Sequence, residues 1–166
     1  MEDGPVTATI KCVHSYGDSE IEVEIRLQSG IPEIFFKLDA NWEEVGNPEI
    51  GVPVLKANFP VNVENPIHCQ DIPFGTIRRN MDGKDIPVQK WADVRDSESG
   101  RGMTVANDTT YGYAGEDNEI SLTLLRSSYE PDPYPEIGRR IIKYSLYPHG
   151  RNWTPTLSTK LSAELN

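Results

Sequence analysis

Apolar and polar residues alternate along much of this chain. In VTATIKCV (6–13), Val6, Ala8, Ile10 and Cys12 fall on one side and Thr7, Thr9 and Lys11 on the other. EIEVEIRL (20–27) repeats the pattern: Ile21, Val23, Ile25 and Leu27 oppose Glu20, Glu22, Glu24 and Arg26. A period of two is that of a half-buried strand with one wet face. The intervening HSYGDS has turn chemistry, so the two strands are expected to pair as a hairpin. A third run, IPEIFFKLDANW (31–42), follows the Ser29-Gly30 turn. Asp82-Gly83, between GTIRRN and KDIPVQ, is the strongest two-residue hairpin signal. Asp117-Asn118 takes a similar place between YGYAG and EISLTLL, and RRIIKYSLYP (139–148) reads as a further strand. About ten strands are expected, at the spacing of a β-sandwich.

One segment departs from this rhythm. TPTLSTKLSAELN (154–166) places Leu157, Leu161 and Leu165 at i, i+4 and i+8, with Pro155 in the first turn. That spacing predicts a short C-terminal helix. Thirteen prolines and thirteen glycines leave little room for long ones. No internal repeat or low-complexity tract interrupts the chain. Residues 1–166 therefore read as a single all-β domain.

Charge and cysteine content narrow the classes of partner. A formal charge of −10 argues against nucleic acid and anionic membranes. No apolar run approaches the roughly 20 residues that span a bilayer. The opening MEDGPV carries no secretory signal, from which the cytoplasm is expected, and it reads as a start in mid-protein, with the true N-terminus missing. Cys12 and Cys69 are too few for a disulfide framework and are expected to be free thiols, Cys12 among core-facing residues.

Candidate chemistry is sparse. His14, His68 and His149 lie far apart, and His68 and Cys69, adjacent on a strand, point to opposite faces. Only tertiary assembly could make a metal site of them. There is no Gly-rich phosphate loop and no G-x-S-x-G elbow. Two placed carboxyls suffice for glycosidase chemistry, but the glutamates of EIEVEI read as a solvated strand face and DSESGR (96–101) as a turn. Trp42, Trp91, Trp153, Tyr111 and Tyr113 could stack on sugars; Trp91, in the alternating VQKWADV, reads as core. At the end of SLTLLR (121–126), a strand hands over at Arg126 to an acidic loop with Pro131, Pro133 and Pro135.

Longer phrases bring a family into view. NFPVNVENPIHCQDIPFGTIRRNMDGKDIPVQKWADVRD (58–96) resembles the stretch that α-mannosidases of glycoside hydrolase family 38 carry after their catalytic domain. Matching pieces are Phe59-Pro60-Val61-Asn62-Val63, Ile72-Pro73-Phe74-Gly75 and Pro87-Val88-Gln89-Lys90-Trp91. Asn107-Asp108, Tyr111-Gly112-Tyr113, Leu122 to Ser127 and Tyr144 to His149 continue the order. Val88 stands where the family has alanine, and the loop from Asn80 to Asp85 is shorter than in many relatives.

The resemblance implies a large β-sandwich of the galactose mutarotase-like kind, a supersandwich, packed on an N-terminal catalytic domain of the same polypeptide. It implies retaining hydrolysis of terminal α-D-mannosides by an aspartate nucleophile and a zinc ion, both in that missing domain. No catalytic residue, metal ligand or cofactor is thereby assigned to this chain, which is expected to be inactive alone and to end where the family continues into further strands. Family members carry an arginine near the end of the 121–126 strand, where the sandwich faces the cleft. That implies a substrate-binding role for Arg126, through donors to sugar hydroxyls or to a carboxylate. An interdomain ion pair and plain solvation are the alternatives. Mannose-containing carbohydrate is the expected ligand, and exposed apolar surface is expected to favour self-association. Two other readings stay open at this stage: a freestanding carbohydrate-binding module with an exposed aromatic row, and a mutarotase-like domain in which a histidine and a glutamate converge.

Overall fold

The structure, a computed structural model, describes residues 2–131 and 136–165. Its strands in chain order are β1 (Glu2–Asp3), β2 (Thr7–Tyr16), β3 (Ser19–Gln28), β4 (Ile34–Trp42), β5 (Val54–Pro60), β6 (Pro66–Ile72) and β7 (Gly75–Arg79). Then come β8 (Ile86–Pro87), β9 (Trp91–Asp96), β10 (Gly102–Asn107), β11 (Gly112–Glu116), β12 (Glu119–Arg126), β13 (Gly138–His149) and the helix α1 (Pro155–Glu164). A nine-stranded sheet runs β1-β2-β3-β4-β13-β10-β9-β6-β7, and a four-stranded sheet runs β5-β12-β11-β8. All pairings are antiparallel. This is the expected all-β sandwich with a short C-terminal helix.

Local turn chemistry sets two of the hairpins. β2 and β3 turn at Gly17-Asp18, where Gly17 takes a φ of 56°, and β11 and β12 turn at Asp117-Asn118 with Asp117 at 49°. Short side chains that tolerate positive φ are suited to such positions. Asp82-Gly83, by contrast, makes no hairpin. β7 before it pairs with β6 in the large sheet, and β8 after it pairs with β11 in the small one. The turn forms, with Gly83 at 77° and its N–H donated to the Gly115 carbonyl at 2.9 Å, but it carries the chain between sheets. The third predicted strand begins at Ile34 rather than Ile31, since Pro32 has no N–H for the ladder.

The core lies between the sheets. Leu38, Ala40, Trp42, Val94, Val105 and Ile142 of the large sheet meet Tyr113, Ile120, Leu122 and Leu125 of the small one. Phe59 of β5 sits 6.4 Å from the Phe36 ring of β4 and 6.1 Å from Tyr144 of β13, ring centre to ring centre. β5 is the edge of the small sheet, so the cover ends near β4. Beyond it the core face of β2 and β3 emerges into solvent: Ile10 is 55% and Leu27 52% exposed. Cys12 on the same face is half-buried and not part of the closed core. On the opposite face Lys11 bridges to Glu22 at 2.8 Å and to Glu24 at 3.7 Å, so those glutamates are a paired, wet surface.

α1 packs on the outer face of β9 and β10. Thr154 caps it, accepting from the Leu157 N–H at 3.3 Å, and Pro155 fills the first turn. The leucine stripe does not form its buried face. Ser158 and Ser162 are buried instead. Ser158 Oγ lies 2.8 Å from Thr104 Oγ1 and accepts the Trp153 indole N–H at 2.8 Å. Beneath them Asp93 accepts from Arg95 Nη1 at 2.8 Å and from Thr104 Oγ1 at 3.0 Å, and faces His149 Nε2 at 2.6 Å. The helix sits on a polar floor, so hydroxyls face it.

Candidate functional site at the Arg126 strand end

Arg126 is the last residue of β12, opposite Val54 at the start of β5, and it is exposed. Among the described residues no hydrogen bond or ion pair engages its guanidinium. Its neighbour is the reverse. Ser127 is fully buried, donates its N–H to the Pro53 carbonyl at 3.0 Å, and accepts the Trp42 indole N–H at 2.6 Å. The strand end is thus fixed from both sides while the cation points outward.

Two further segments frame it. The 43–53 connection closes on itself through the Asn47–Gly51 bridge and presses Gly46 against the strand end. A Cβ at Gly46 would lie 2.8 Å from the Ser127 carbonyl oxygen and 3.0 Å from the Tyr129 ring, so the close approach requires glycine. The β2–β3 turn is tied in by Glu44, which accepts from the Asp18 N–H at 3.2 Å and from Ser19 Oγ at 2.8 Å. Tyr16 stacks on Trp42 at 6.3 Å. These segments expose Tyr16, Val45, Ile50 and Val54, and Ile137 is exposed ahead of β13. A cation without a partner among the described residues, on a strand end framed by segments with exposed apolar side chains, has the makeup of a surface that meets something. Pro133 and Pro135 of the acidic loop lie outside the described residues; Pro131 is described and follows Ser128, whose Oγ donates to the Glu130 carbonyl at 2.8 Å.

Sequence reasoning located Arg126 but missed what positions it. Gly46, Ser127 and Trp42 carry no local signal for the task; only the fold brings them together. The remaining candidates fall elsewhere. Trp42 and Trp91 are core, Tyr113 is fully buried, and Trp153 is half-buried, edge-on to Trp91 and stacked on His149. No row of exposed aromatics forms from them.

His68 and Cys69 do face opposite sides. The His68 ring reaches the Asp117 carbonyl through Nε2 at 2.8 Å, which makes that nitrogen the donor, while Cys69 packs with Trp91 and Ala106. Burial pushes the Cys69 thiol above its ordinary value, and both cysteines are free. His149 is held at the far end of β13, and His14 is exposed on β2. Among the described residues no three His, Cys, Asp or Glu side chains converge to hold a metal ion. The 96–101 segment is a turn: Asp96 accepts from the N–H groups of Glu98 and Ser99 at 3.1 and 2.7 Å and from those of Glu64 and Asn65 at 3.2 and 2.9 Å. No described helix is long and apolar enough to cross a membrane.

Comparison with known proteins agrees with this architecture. An α-mannosidase of Saccharomyces cerevisiae is 33% identical over 120 residues, 68% of this chain and 11% of that protein. Human alpha-mannosidase 2C1 is 29% identical over 140 residues, 80% of this chain and 13% of its own length. The chain therefore spans about an eighth or less of these relatives. Among solved structures, a glycosyl hydrolase family 38 protein from Enterococcus faecalis shares the fold, with a TM-score of 0.69 and 20% identity over 89% of this chain and 18% of that one. Residues 1–134 match the model of the "Glycosyl hydrolases family 38 C-terminal domain", and the chain belongs to that family.

Proposed function

We propose that this chain serves as the C-terminal sandwich of an α-mannosidase that hydrolyses terminal α-D-mannosides with retention. In this reading it shapes the substrate cleft and is inactive alone; the nucleophile and the zinc belong to a catalytic domain of the same polypeptide. The observation that carries the reading is the family match over residues 1–134, and the α-mannosidase relatives support it. Arg126 is the chain's contribution to the cleft. Its anchored backbone and exposed guanidinium, without a partner among the described residues, suit a donor held ready for sugar hydroxyls or for a carboxylate across a domain boundary. The chain alone is expected to leave a nitrophenyl α-mannoside intact with or without zinc, while the longer polypeptide hydrolyses it. Turnover by the isolated chain, free of host mannosidase, would overturn this division of labour. Proton NMR of the first sugar anomer released by the longer polypeptide tests retention.

A second part of the reading concerns the isolated chain. Ile10 of β2 and Leu27 of β3 lie exposed near the end of the large sheet that only the two-residue β1 closes, and β5 is a free edge of the small sheet; such surfaces favour pairing with a second copy. Light scattering at rising concentration is expected to show self-association that Ile10→Glu weakens. A strictly monomeric mass counts against it.

A further inference from the structure

The hairpin between β6 and β7 turns over Pro73 and Phe74, with Ile72 opposite Gly75. Proline holds its own φ near about −65°, and Phe74 follows with a φ of 66°. That sign pattern belongs to a type II turn, whose second central position calls for glycine or asparagine. A bulky L-residue there is strained. Packing does not compensate, because the Phe74 side chain is fully exposed. A glycine is available one position later, yet the phenylalanine holds the strained place. Neither the turn nor the core accounts for it, and strain kept without internal compensation is a mark of function.

What lies beside Phe74 narrows the function. Phe74 lines a groove of ≈ 520 Å³ between this hairpin and α1, inside the roughly 300–1,000 Å³ range of small-molecule sites. Ile72 and Pro155 give the groove apolar walls, and Asp71, Gln89 and Thr159 line it with an acceptor, an amide and a hydroxyl. Asp71 is held by the Lys90 backbone N–H at 3.2 Å, and burial pushes its carboxyl up. Thr159 Oγ1 accepts the indole N–H of the buried Trp91 at 3.1 Å, so its own proton points elsewhere and is free to be donated. An aromatic face beside a carboxylate, an amide and a hydroxyl is complementary to a sugar ring, which offers an apolar C–H face and an equatorial rim of hydroxyls.

We propose that this groove is a binding site for a neutral saccharide whose C–H face lies on Phe74. Asp71 and Gln89 receive and orient its hydroxyls, and Thr159 donates to one of them. The site rests on this geometry and not on the mannosidase reading, so either can fail without the other.

The test is a titration of the ¹⁵N-labelled 166-residue chain with mannobiose, maltose and lactose, each up to on the order of 50 mM. Trp91 is buried, yet its indole N–H reports on the groove through Thr159. At least one sugar is expected to shift that resonance and the Gln89 amide saturably, leaving the Trp42 indole still. Phe74→Gly relieves the turn, so it should raise the melting temperature while weakening binding about tenfold or more. Gln89→Ala, an exposed change that leaves the hairpin intact, should weaken it as well. Absence of a saturable shift with all three sugars overturns the proposal, and that is the result expected if Phe74 docks on a protein instead. Unchanged affinity in Phe74→Gly overturns it equally.

Discussion

The indole N–H of Trp42 donates a 2.6 Å hydrogen bond to Ser127 Oγ across 85 positions of sequence. It ties the last residue of β4 to the first residue beyond β12, and so fixes the backbone from which Arg126 projects. Ser127→Ala keeps the volume nearly unchanged but leaves a buried N–H without an acceptor. Such a loss costs roughly 1–3 kcal/mol, readable as a lower urea midpoint at constant m-value. An unchanged midpoint would show that the indole finds another acceptor and that the strand end is held by the Pro53 carbonyl alone.

Glu33 is buried and accepts one hydrogen bond, from Ser145 Oγ at 2.9 Å. Burial pushes its carboxyl above the ordinary value, with the Glu164 charge adding to the effect. A raised folded value means that the stabilising form is the protonated one. That stability is fully present below the unfolded value of about 4.3 and is lost as pH rises through the folded value. Glu33→Gln retains an acceptor for Ser145 and removes the buried charge. It should raise the melting temperature at pH 7 and bring no gain near pH 3.5; equal gains at both would show that charge is not the cause.

Tyrosines give the opposite flank of the pH profile. Burial pushes Tyr144 up to about 12, and Tyr113 higher still, against the Asn107 amide that donates to its hydroxyl at 2.6 Å. Unfolded tyrosine ionises near about 10, so the stability these two contribute is complete below that pH and lost as pH rises through their folded values. Phenolate absorbance should therefore show part of the seven tyrosines titrating only together with loss of β-sheet circular dichroism. A single ordinary titration that precedes unfolding would refute this.

These relationships divide along a line that physics draws. Alternation of apolar residues made β2, β3 and β13 legible, because a strand's side chains need only their own sequence to choose a face. Asp82-Gly83 was legible as a turn and misleading as a hairpin: local chemistry sets the backbone of two residues, whereas the destination of the next strand depends on which sheet lacks an edge. In α1 the leucine spacing predicted the helix correctly, but the residues it buries are Ser158 and Ser162. The face was set by Thr104 and Asp93 on the sheet beneath and by Trp153 just ahead of the helix, and hydrophobic periodicity cannot anticipate a polar floor. Ile10 and Leu27 alternate as core residues should, yet they emerge where β5 ends the cover. The Arg126 strand end could be read from sequence, but its anchor could not, since nothing near Ser127 announces a tryptophan 85 positions earlier.

Arg126 offers the sharpest test of what this domain does in a larger enzyme. Arg126 is exposed, and its guanidinium has no partner among the described residues. Arg126→Ala in the isolated chain should change stability within about 0.5 kcal/mol. In the complete enzyme the same change should remove a charge-assisted hydrogen bond to sugar or to a carboxylate facing it, a contribution of roughly 1.5–3 kcal/mol. That corresponds to a fall in kcat/KM of about ten- to a hundred-fold. Arg126→Lys keeps the charge without the planar fork and should recover only part of the loss. A large drop in melting temperature for the isolated chain would instead make Arg126 a strut of the sandwich. Unchanged kinetics in the complete enzyme would leave it a solvated strand end, and the substrate-binding role would be wrong.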